Sequence, residues 1–475
     1  MKLIYFIWSL LERFGTNIVS LGGNIILSYL LLREDFGLVA MLAVFSNLIF
    51  VFVDCGLSDG LLMHEKPSNR DFNTVFYFNM ATSISLCLVF CAISPLVANY
   101  FQHEELQSIM IVLGIGAIIS GSSISQITKL RSQLQFKKVA VFNITSVTLA
   151  LIVAIVMAIK GFRYWALVEL QVGYSFFFLL LLILFSKWNL KIEFDVERFQ
   201  QLWKFGVNLL FSTFITQVSQ NIFTFVLGKF YNPIQAGYMW QAQKLQQAPT
   251  NSLEMSISST SYVLIAKNTN DDDKRHNFIK MFGIFTFVNS LFLFLMLAIS
   301  SPFIQAIFPE KWYPCIPYLQ VLIIWALIYP VNNFMMILFK IFNLTNIIRN
   351  TLIFEKTGIV VSAFALYAYG VYAILCAAIA FSTITFLIYC WFALKHIGIK
   401  PLQLLRFYMS HILSFSVICA LVISTNQFTS TSILNLFIGC ACYFTLALLY
   451  MKFFKKEYFG FVTEKLKSAV HQKIK

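Results

Sequence analysis

Long apolar segments recur from one end of this chain to the other. Fourteen of them are about 20 residues long, enough for a helix to cross the roughly 30 Å hydrocarbon core of a bilayer. Charged residues make up 12% of the 475 positions, where a soluble domain carries roughly 25%. The sequence therefore predicts an all-α polytopic membrane protein. The predicted spans are 10–31, 36–58, 75–101, 106–127, 139–160, 164–186, 202–228, 233–260, 278–304, 318–341, 351–370, 372–394, 407–424 and 432–451.

The eleventh and twelfth spans come from one apolar stretch, residues 351–394. These 44 residues would make a helix of about 66 Å at 1.5 Å per residue, roughly twice the thickness of the hydrocarbon core. We therefore expect the stretch to break at Tyr369-Gly370. The eighth span is the least apolar of the fourteen and needs independent support from the distribution of charge.

Lys and Arg are distributed unevenly over the loops between the predicted spans. If the N-terminus is cytosolic, 28 of the 35 Lys and Arg lie on the inner side, five lie on the outer side, and Arg13 and Lys244 lie within spans. Cytosolic loops of membrane proteins carry such an excess, so the contrast favours fourteen spans with both termini in the cytosol. It also explains the net charge of +14 without a nucleic-acid partner.

Two parts of the chain resemble each other. LLREDFGLVAM between spans one and two is similar to FYNPIQAGYMW between spans seven and eight, and Gly37 and Gly237 lie 200 positions apart. Internal repeats of this size are typical of secondary transporters, although apolar helices also resemble one another by chance. We predict an N-lobe of spans one to six (1–190), a C-lobe of spans seven to twelve (191–400), and two extra spans with a basic cytosolic tail (401–475).

Polar residues recur every three or four positions within several spans, which places each set on one helix face. Ionisable groups at this depth are costly and usually face a bundle interior or a watery cavity. We therefore predict that the polar residues of the first and eighth spans face a polar cavity between the two halves, where a substrate can bind. Ser, Thr and Asn also join membrane helices with no ligand involved, and that alternative stays open. The predicted substrate-binding residues are Arg13, Asn17, Asn24, Lys244, Gln247 and Asn251.

Four further residues are candidates for coupling or gating: Asp54, Glu169, Glu254 and Pro249. Asp54 and Glu169 can bind a coupling proton or cation, and a capped or ion-paired structural acid is the alternative for both. Pro249 lacks an amide hydrogen, so it can bend the eighth span where a gating helix must flex.

Residue patterns typical of enzymes are absent from the sequence. It contains no P-loop, no GxSxG element and no HExxH helix. The nine Cys and six His show no metal-ligand or disulfide spacing. We therefore predict a protein that is not an enzyme, with no catalytic residues, no cofactor and no metal site.

Several segments carry a resemblance to a known family. LLREDFGLVAMLAVFSNLIFVFVDCGLS, FPEKWYPCIPYLQVL at 308–322, and the region around Gly237-Tyr238 and Pro249 occur in the order and spacing of bacterial polysaccharide-lipid flippases. The resemblance is to the branch with the colanic acid and teichuronic acid exporters, in the multidrug/oligosaccharidyl-lipid/polysaccharide exporter superfamily. Arg33 stands where this family often has Pro, and 339–342 departs from its small-residue pattern. We therefore carry over no substrate-binding role for 339–342.

The resemblance implies two six-helix lobes around a central cavity, plus two extra helices. It implies a flippase of the bacterial cytoplasmic (inner) membrane that moves undecaprenyl-pyrophosphate-linked oligosaccharide outward by alternating access, for surface polysaccharide or O-antigen and lipopolysaccharide biosynthesis. The expected partners are the lipid-linked oligosaccharide, membrane lipid, a polysaccharide polymerase and chain-length machinery.

Three other functions stay open. One is a cation-coupled drug or metabolite antiporter of the same fold, in which acidic residues would dominate the cavity. Another is a membrane glycan polymerase or ligase, which would need a large external loop, whereas all predicted external loops are short. A structural scaffold would leave the costly intramembrane Lys and Glu unexplained.

Overall fold

The structure is a computed structural model that describes residues 2–63, 67–186, 190–268, 270–425 and 432–454. Most of these residues lie in helices, and the described ranges contain no strand. The predicted all-α fold is therefore confirmed. Packing divides the chain into two compact units, Met1–Gln241 with Lys356–Ile374, and Ala242–Glu355 with Leu375–Lys475. The lobe boundaries at 190 and 400 stay a prediction.

Besides the segment Lys356–Ile374, the first unit contains nine complete α-helices and the beginning of a tenth, α10, which continues into the second unit. These helices are α1 (Lys2–Leu30), α2 (Arg33–Met41), α3 (Ala43–Asp54), α4 (Leu57–Met63), α5 (Asn69–Phe101), α6 (Glu105–Ser132), α7 (Phe136–Ile159), α8 (Trp165–Phe185), α9 (Val196–Phe230) and α10 (Pro233–Ala266).

The second unit holds the rest of α10 and the helices that follow, apart from the end of α14 and the beginning of α15. They are α11 (Asp271–Ile307), a 3-10 helix (Glu310–Cys315), α12 (Ile316–Ala326), α13 (Tyr329–Ile341), α14 (Thr345–Ala365), α15 (Val371–Ile397), α16 (Pro401–Thr425) and α17 (Ser432–Phe454).

The described helices cover all fourteen predicted spans. Nine helical segments of the described ranges are long and apolar enough to cross a bilayer, and α2 and α3 would add a tenth span as a pair bent by 45°. The remaining spans correspond to α1, α9, α10 and α14. Two of these four, α1 and α10, carry the polar residues singled out in the sequence, which lower their hydropathy. The chain is thus a multi-pass membrane protein.

The predicted break between spans eleven and twelve is confirmed. After α14 ends, Tyr367–Tyr369 form a short 3-10 helix, and α15 begins at Val371. Gly370 between them has φ +98° and ψ 163°, a conformation that is open almost only to glycine. The chain can therefore reverse here within a few residues.

Reciprocal ion pairs join the beginnings of α5 and α9. Ser68 accepts a hydrogen bond from the amide of Asp71 at the start of α5, and Asp195 accepts one from the amide of Arg198 at the start of α9. The two capping regions then exchange charges, because Arg70 Nε lies 3.4 Å from Asp195 and Arg198 Nε lies 3.2 Å from Asp71. The acids that cap these helices thereby also hold the two ends together.

Aromatic rings fill the interior of the second unit. Phe278, Phe282, Phe334 and Tyr389 are all fully buried in one cluster, and the rings of Phe285 and Phe334 stack with centroids 4.6 Å apart. Between membrane helices, lipid tails remove most of the hydrophobic driving force, so close van der Waals packing of this kind holds the bundle together.

Candidate functional site

The predicted residues of the eighth span lie along one accessible side of α10. Lys244 and Asn251 are exposed, and Gln247 and Glu254 are half-buried. The intervals of three and four residues between them keep all four on one helix face. In the second unit, α10 therefore presents a cation, two amides and a carboxylate from a membrane-spanning helix.

The adjacent side of α10 is buried and fixed by hydrogen bonds. Gln246 and Thr250 are 1% and 2% exposed. Gln246 Nε2 donates to the hydroxyl of Tyr329 on α13, 3.2 Å away, and Tyr329 donates to Asn251 Oδ1 at 3.5 Å. The helix continues without interruption through Pro249. Because this side of α10 is packed inside the unit, the side that carries Lys244 stays accessible.

The predicted residues of the first span lie on α1, in the first unit. Arg13 is exposed and Asn17 is half-buried. Asn24 is 8% exposed, and its Nδ2 has no hydrogen-bond partner among the described residues. The α1 and α10 residues belong to different units. That both sets line one substrate cavity stays a prediction.

The neighbour of Arg13 anchors α1 inside the first unit. Glu12 accepts a hydrogen bond of 2.6 Å from Asn143 on α7 and lies 3.6 Å from Arg131 on α6. Tyr174 on α8 donates to Asn143 Oδ1 at 2.7 Å. Sequence analysis did not single out this network, because its members lie on four different helices and share no spacing. Glu12 thus makes its contacts inside the first unit, whereas the side chain of Arg13, one position later, is exposed.

Two of the predicted coupling acids, Asp54 and Glu169, lie in the first unit and contact residues four positions further along the chain. Asp54 ends α3 and accepts hydrogen bonds from the amide and hydroxyl of Ser58, at 3.2 and 2.5 Å. These contacts correspond to the alternative of a capping acid. Glu169 on α8 is half-buried and lies over Gly173, where any β-carbon would meet its carboxylate. A coupling role for either acid stays a prediction.

A buried carboxylate in the second unit was missed by the sequence analysis. Glu355 on α14 is 1% exposed. It accepts a hydrogen bond of 2.8 Å from the hydroxyl of Ser382 on α15, and that hydroxyl accepts one of 2.9 Å from the indole of Trp325 on α12. The signal was present, since an acid lies within the span 351–370.

Further polar groups lie on α13, α14 and α15, the helices next to this hydrogen-bond chain. Asn332 Nδ2 donates to the backbone carbonyl of Ser382 at 2.9 Å, while Asn332 Oδ1 has no partner among the described residues. One turn earlier on α14, Thr351 donates to the hydroxyl of Tyr389 at 2.7 Å. A carboxylate with neutral oxygens around it can hold a proton or a small cation. The described residues contain no group of three His, Cys, Asp or Glu that could hold a metal ion.

The helices and their intramembrane polar groups define a polytopic helical membrane protein. The chain belongs to the family described as "Polysaccharide biosynthesis protein", whose model matches residues 26–317. Membership confirms the family that the sequence resembles.

Two curated relatives illustrate this kinship. The teichuronic acid biosynthesis protein TuaB of Bacillus subtilis is 24% identical over 293 residues, which cover 58% of this chain and 57% of TuaB. The lipopolysaccharide biosynthesis protein WzxC of Escherichia coli is 22% identical over 315 residues, covering 65% of this chain and 63% of WzxC. The matches thus span about three fifths of the length of these relatives.

Solved structures extend the likeness of the fold to nearly the whole chain. A structure of the lipid II flippase MurJ in an inward closed conformation superposes with a TM-score of 0.75 at 13% identity, covering 95% of this chain and 99% of MurJ. A multidrug resistance MATE family transporter of the MOP superfamily, facing inward, gives a TM-score of 0.59 at 14% identity, covering 85% and 95%. At these identities the likeness shows the fold alone.

Proposed function

We propose that this protein flips undecaprenyl-pyrophosphate-linked oligosaccharides across the bacterial cytoplasmic membrane by alternating access. The observation that carries this proposal is the accessible side of α10, where Lys244, Gln247 and Asn251 stand within a membrane-spanning helix. A diphosphate needs a cation, and sugars need amide and hydroxyl partners. That side of α10 offers both kinds of group.

Arg13, Asn17 and Asn24 on α1 supply the second part of the proposed site. Their exposure decreases along the helix, from the exposed Arg13 to the nearly buried Asn24. A cation at one end and amides further along suit a head group with a diphosphate joined to sugars. Membership of the polysaccharide biosynthesis family supports a glycan substrate.

Glu355 gives the proposal a candidate for energy coupling. Burying a carboxylate inside a membrane protein costs several kcal/mol unless it is compensated or protonated, and such residues usually serve transport. In this proposal Glu355 takes up the coupling proton or cation, and Asp54, Glu169, Glu254 and Pro249 take part in coupling or gating. The substrate would leave to a polymerase and chain-length machinery on the outer side, and both termini would lie in the cytosol.

A cation-coupled drug or metabolite antiporter is the second candidate function. It is favoured by the buried Glu355 and by the MATE-like fold. It differs from the first in its demand for negative charge at the substrate site, because most such drugs are cations. The exposed Lys244 would repel them, which favours the glycolipid.

The test in cells determines in which leaflet of the membrane the lipid-linked glycan accumulates. Deletion of the gene is expected to leave undecaprenyl-pyrophosphate-linked units in the inner leaflet, unavailable to a glycosidase applied to spheroplasts. Complementation with the wild-type chain should restore their access to the enzyme. Unchanged access in the deletion strain would contradict the flippase proposal.

A further inference from the structure

The beginnings of α2 and α10 cross at two glycines within the first unit. A β-carbon on Gly237 would lie 3.2 Å from the amide nitrogen of Gly37 and would strike the backbone carbonyl of Arg33. A β-carbon on Gly37 would strike the carbonyl of Pro233. The two backbones therefore touch, and no residue larger than glycine fits at either position without a shift.

The crossing relates equivalent parts of the internal repeat. α1 ends at Leu30 and α9 ends at Phe230, while α2 begins at Arg33 and α10 begins at Pro233. The helix ends thus match at an offset of 200 residues. The turn segments that were similar in sequence also contact each other directly.

Side chains around the crossing add polar and aromatic contacts. Arg33 donates a hydrogen bond to the hydroxyl of Tyr238, and its guanidinium lies 5.7 Å from the centre of that ring. The rings of Phe36 and Trp240 have centroids 5.6 Å apart. These side-chain contacts add to the backbone contact at the two glycines.

A buried acid fixes α2 to a neighbouring turn. Asp35 is 1% exposed, accepts a hydrogen bond of 3.0 Å from the amide of Leu32, and lies 3.2 Å from Arg163 in the turn between α7 and α8. Arg33 and Arg163 are two of the five cations on the predicted outer side. The α2 side of the crossing is therefore anchored within the first unit.

We propose that the crossing of α2 and α10 at Gly37 and Gly237 is the external gate of the transport route, with both glycines as positioning residues that let it shut. This inference rests on the proposed function only in requiring alternating access. In the closed gate the backbones of the two repeats touch, and in the open gate they separate. A larger side chain at either glycine holds the gate open.

The first experiment compares valine substitutions. Gly37→Val and Gly237→Val are expected to lower transport about tenfold at normal protein levels, because they disfavour one of two required conformations. Gly22→Val is the matched control, since Gly22 on α1 has no atom within 4 Å of the position of a β-carbon. Full transport by both gate variants would overturn the proposal.

A labelling readout reports the gate without any substrate. Ala236 precedes Gly237 and is fully buried, so Ala236→Cys should react slowly with a membrane-impermeant maleimide added outside. Combining it with Gly37→Val should raise the labelling rate about tenfold, as the open state becomes populated. The chain without Ala236→Cys reports background from the nine native cysteines. Equal labelling with and without Gly37→Val would overturn the proposal.

A reversible crosslink tests the gate without added bulk. Arg33→Cys with Tyr238→Cys is joined by a short, reducible thiol crosslinker, which should stop transport until it is reduced. Oxidation of Ser120→Cys with Ser175→Cys is the control, because these hydroxyls lie 2.9 Å apart between α6 and α8 and need not separate. If transport continues in the crosslinked Arg33→Cys/Tyr238→Cys variant, the two helices need not separate, and the gate proposal is overturned. If glycolipid transport itself is absent from the wild type, the labelling comparison still decides the gate, because it needs no substrate.

Discussion

Ser382 donates a hydrogen bond of 2.8 Å to Glu355, a carboxylate that is 1% exposed in the second unit. The same hydroxyl accepts the indole hydrogen of Trp325 at 2.9 Å, so its proton is directed toward the acid. A carboxylate at this depth would be replaced at little cost to packing if it had no use. Its presence therefore makes Glu355 the residue on which energy coupling is best tested.

Replacement of Glu355 by glutamine should separate coupling from folding. Glu355→Gln keeps the shape and one acceptor for Ser382, so insertion and protein level should stay normal. Transport should fall about tenfold and lose its dependence on the driving ion gradient, because the amide cannot bind a proton or cation. Transport into vesicles with and without an imposed gradient measures both effects.

The control for that experiment is Glu105→Gln. Glu105 is an exposed acid at the beginning of α6 and belongs to none of the proposed coupling, gating or substrate residues. It should keep gradient-dependent transport. Gradient dependence that survives Glu355→Gln would remove Glu355 from the coupling mechanism.

The cations of α10 and α1 should be required for transport and dispensable for insertion. Lys244→Ala and Arg13→Ala each remove an accessible cation, and each should lower glycolipid transport about tenfold through loss of a charge-assisted contact to the diphosphate. Lys267→Ala, at the exposed turn just after α10, and Lys138→Ala, at the exposed beginning of α7, are the matched controls. Normal export by both Lys244→Ala and Arg13→Ala would exclude these residues from the substrate site.

The ion pairs between α5 and α9 should differ in their contribution to stability. Arg198→Ala leaves Asp71, which is 8% exposed, without its cation and should cost about 2 kcal/mol. Arg70→Ala removes a pair in which the arginine side chain is 59% exposed and should cost less than about 1 kcal/mol. Thermal unfolding midpoints in detergent give the comparison, and a larger loss for Arg70→Ala would contradict the argument.

The turn at Gly370 should tolerate no side chain. Gly370→Ala places a β-carbon on a backbone at φ +98° and should destabilise the protein by about 2 kcal/mol. Gly22→Ala, within α1 and without near neighbours, should leave the unfolding midpoint nearly unchanged. Equal midpoints for both variants would show that the turn adapts.

The fold was predictable because hydropathy and loop charge depend on local composition. Even α10, with its polar side, was placed by the alternation of Lys and Arg between loops. The break at Gly370 followed from length alone, since no bilayer needs a helix of about 66 Å. Membrane helices satisfy their backbone internally, so the sequence of each segment decides its structure.

The candidate site was predictable only in part. The spacing of Lys244, Gln247 and Asn251 identified a helix face, and the structure leaves that face accessible. The capping contacts of Asp54 and the burial of Glu355 depend on neighbours that fold beside them, which spacing does not report. The contact of Gly37 with Gly237 is likewise tertiary. Their offset of 200 residues suggested equivalence but not contact.

Reconstituted flipping tests the central claim most directly. The purified chain in liposomes is supplied with an undecaprenyl-pyrophosphate-linked oligosaccharide on both leaflets, and a glycosidase added outside measures the fraction that reaches it. The account predicts that the wild type exposes nearly all of the glycolipid, while liposomes with Lys244→Ala or without protein expose about half, the share already outside. An exposed fraction of about half for the wild type, under a proton or sodium gradient of either sign, would contradict the account.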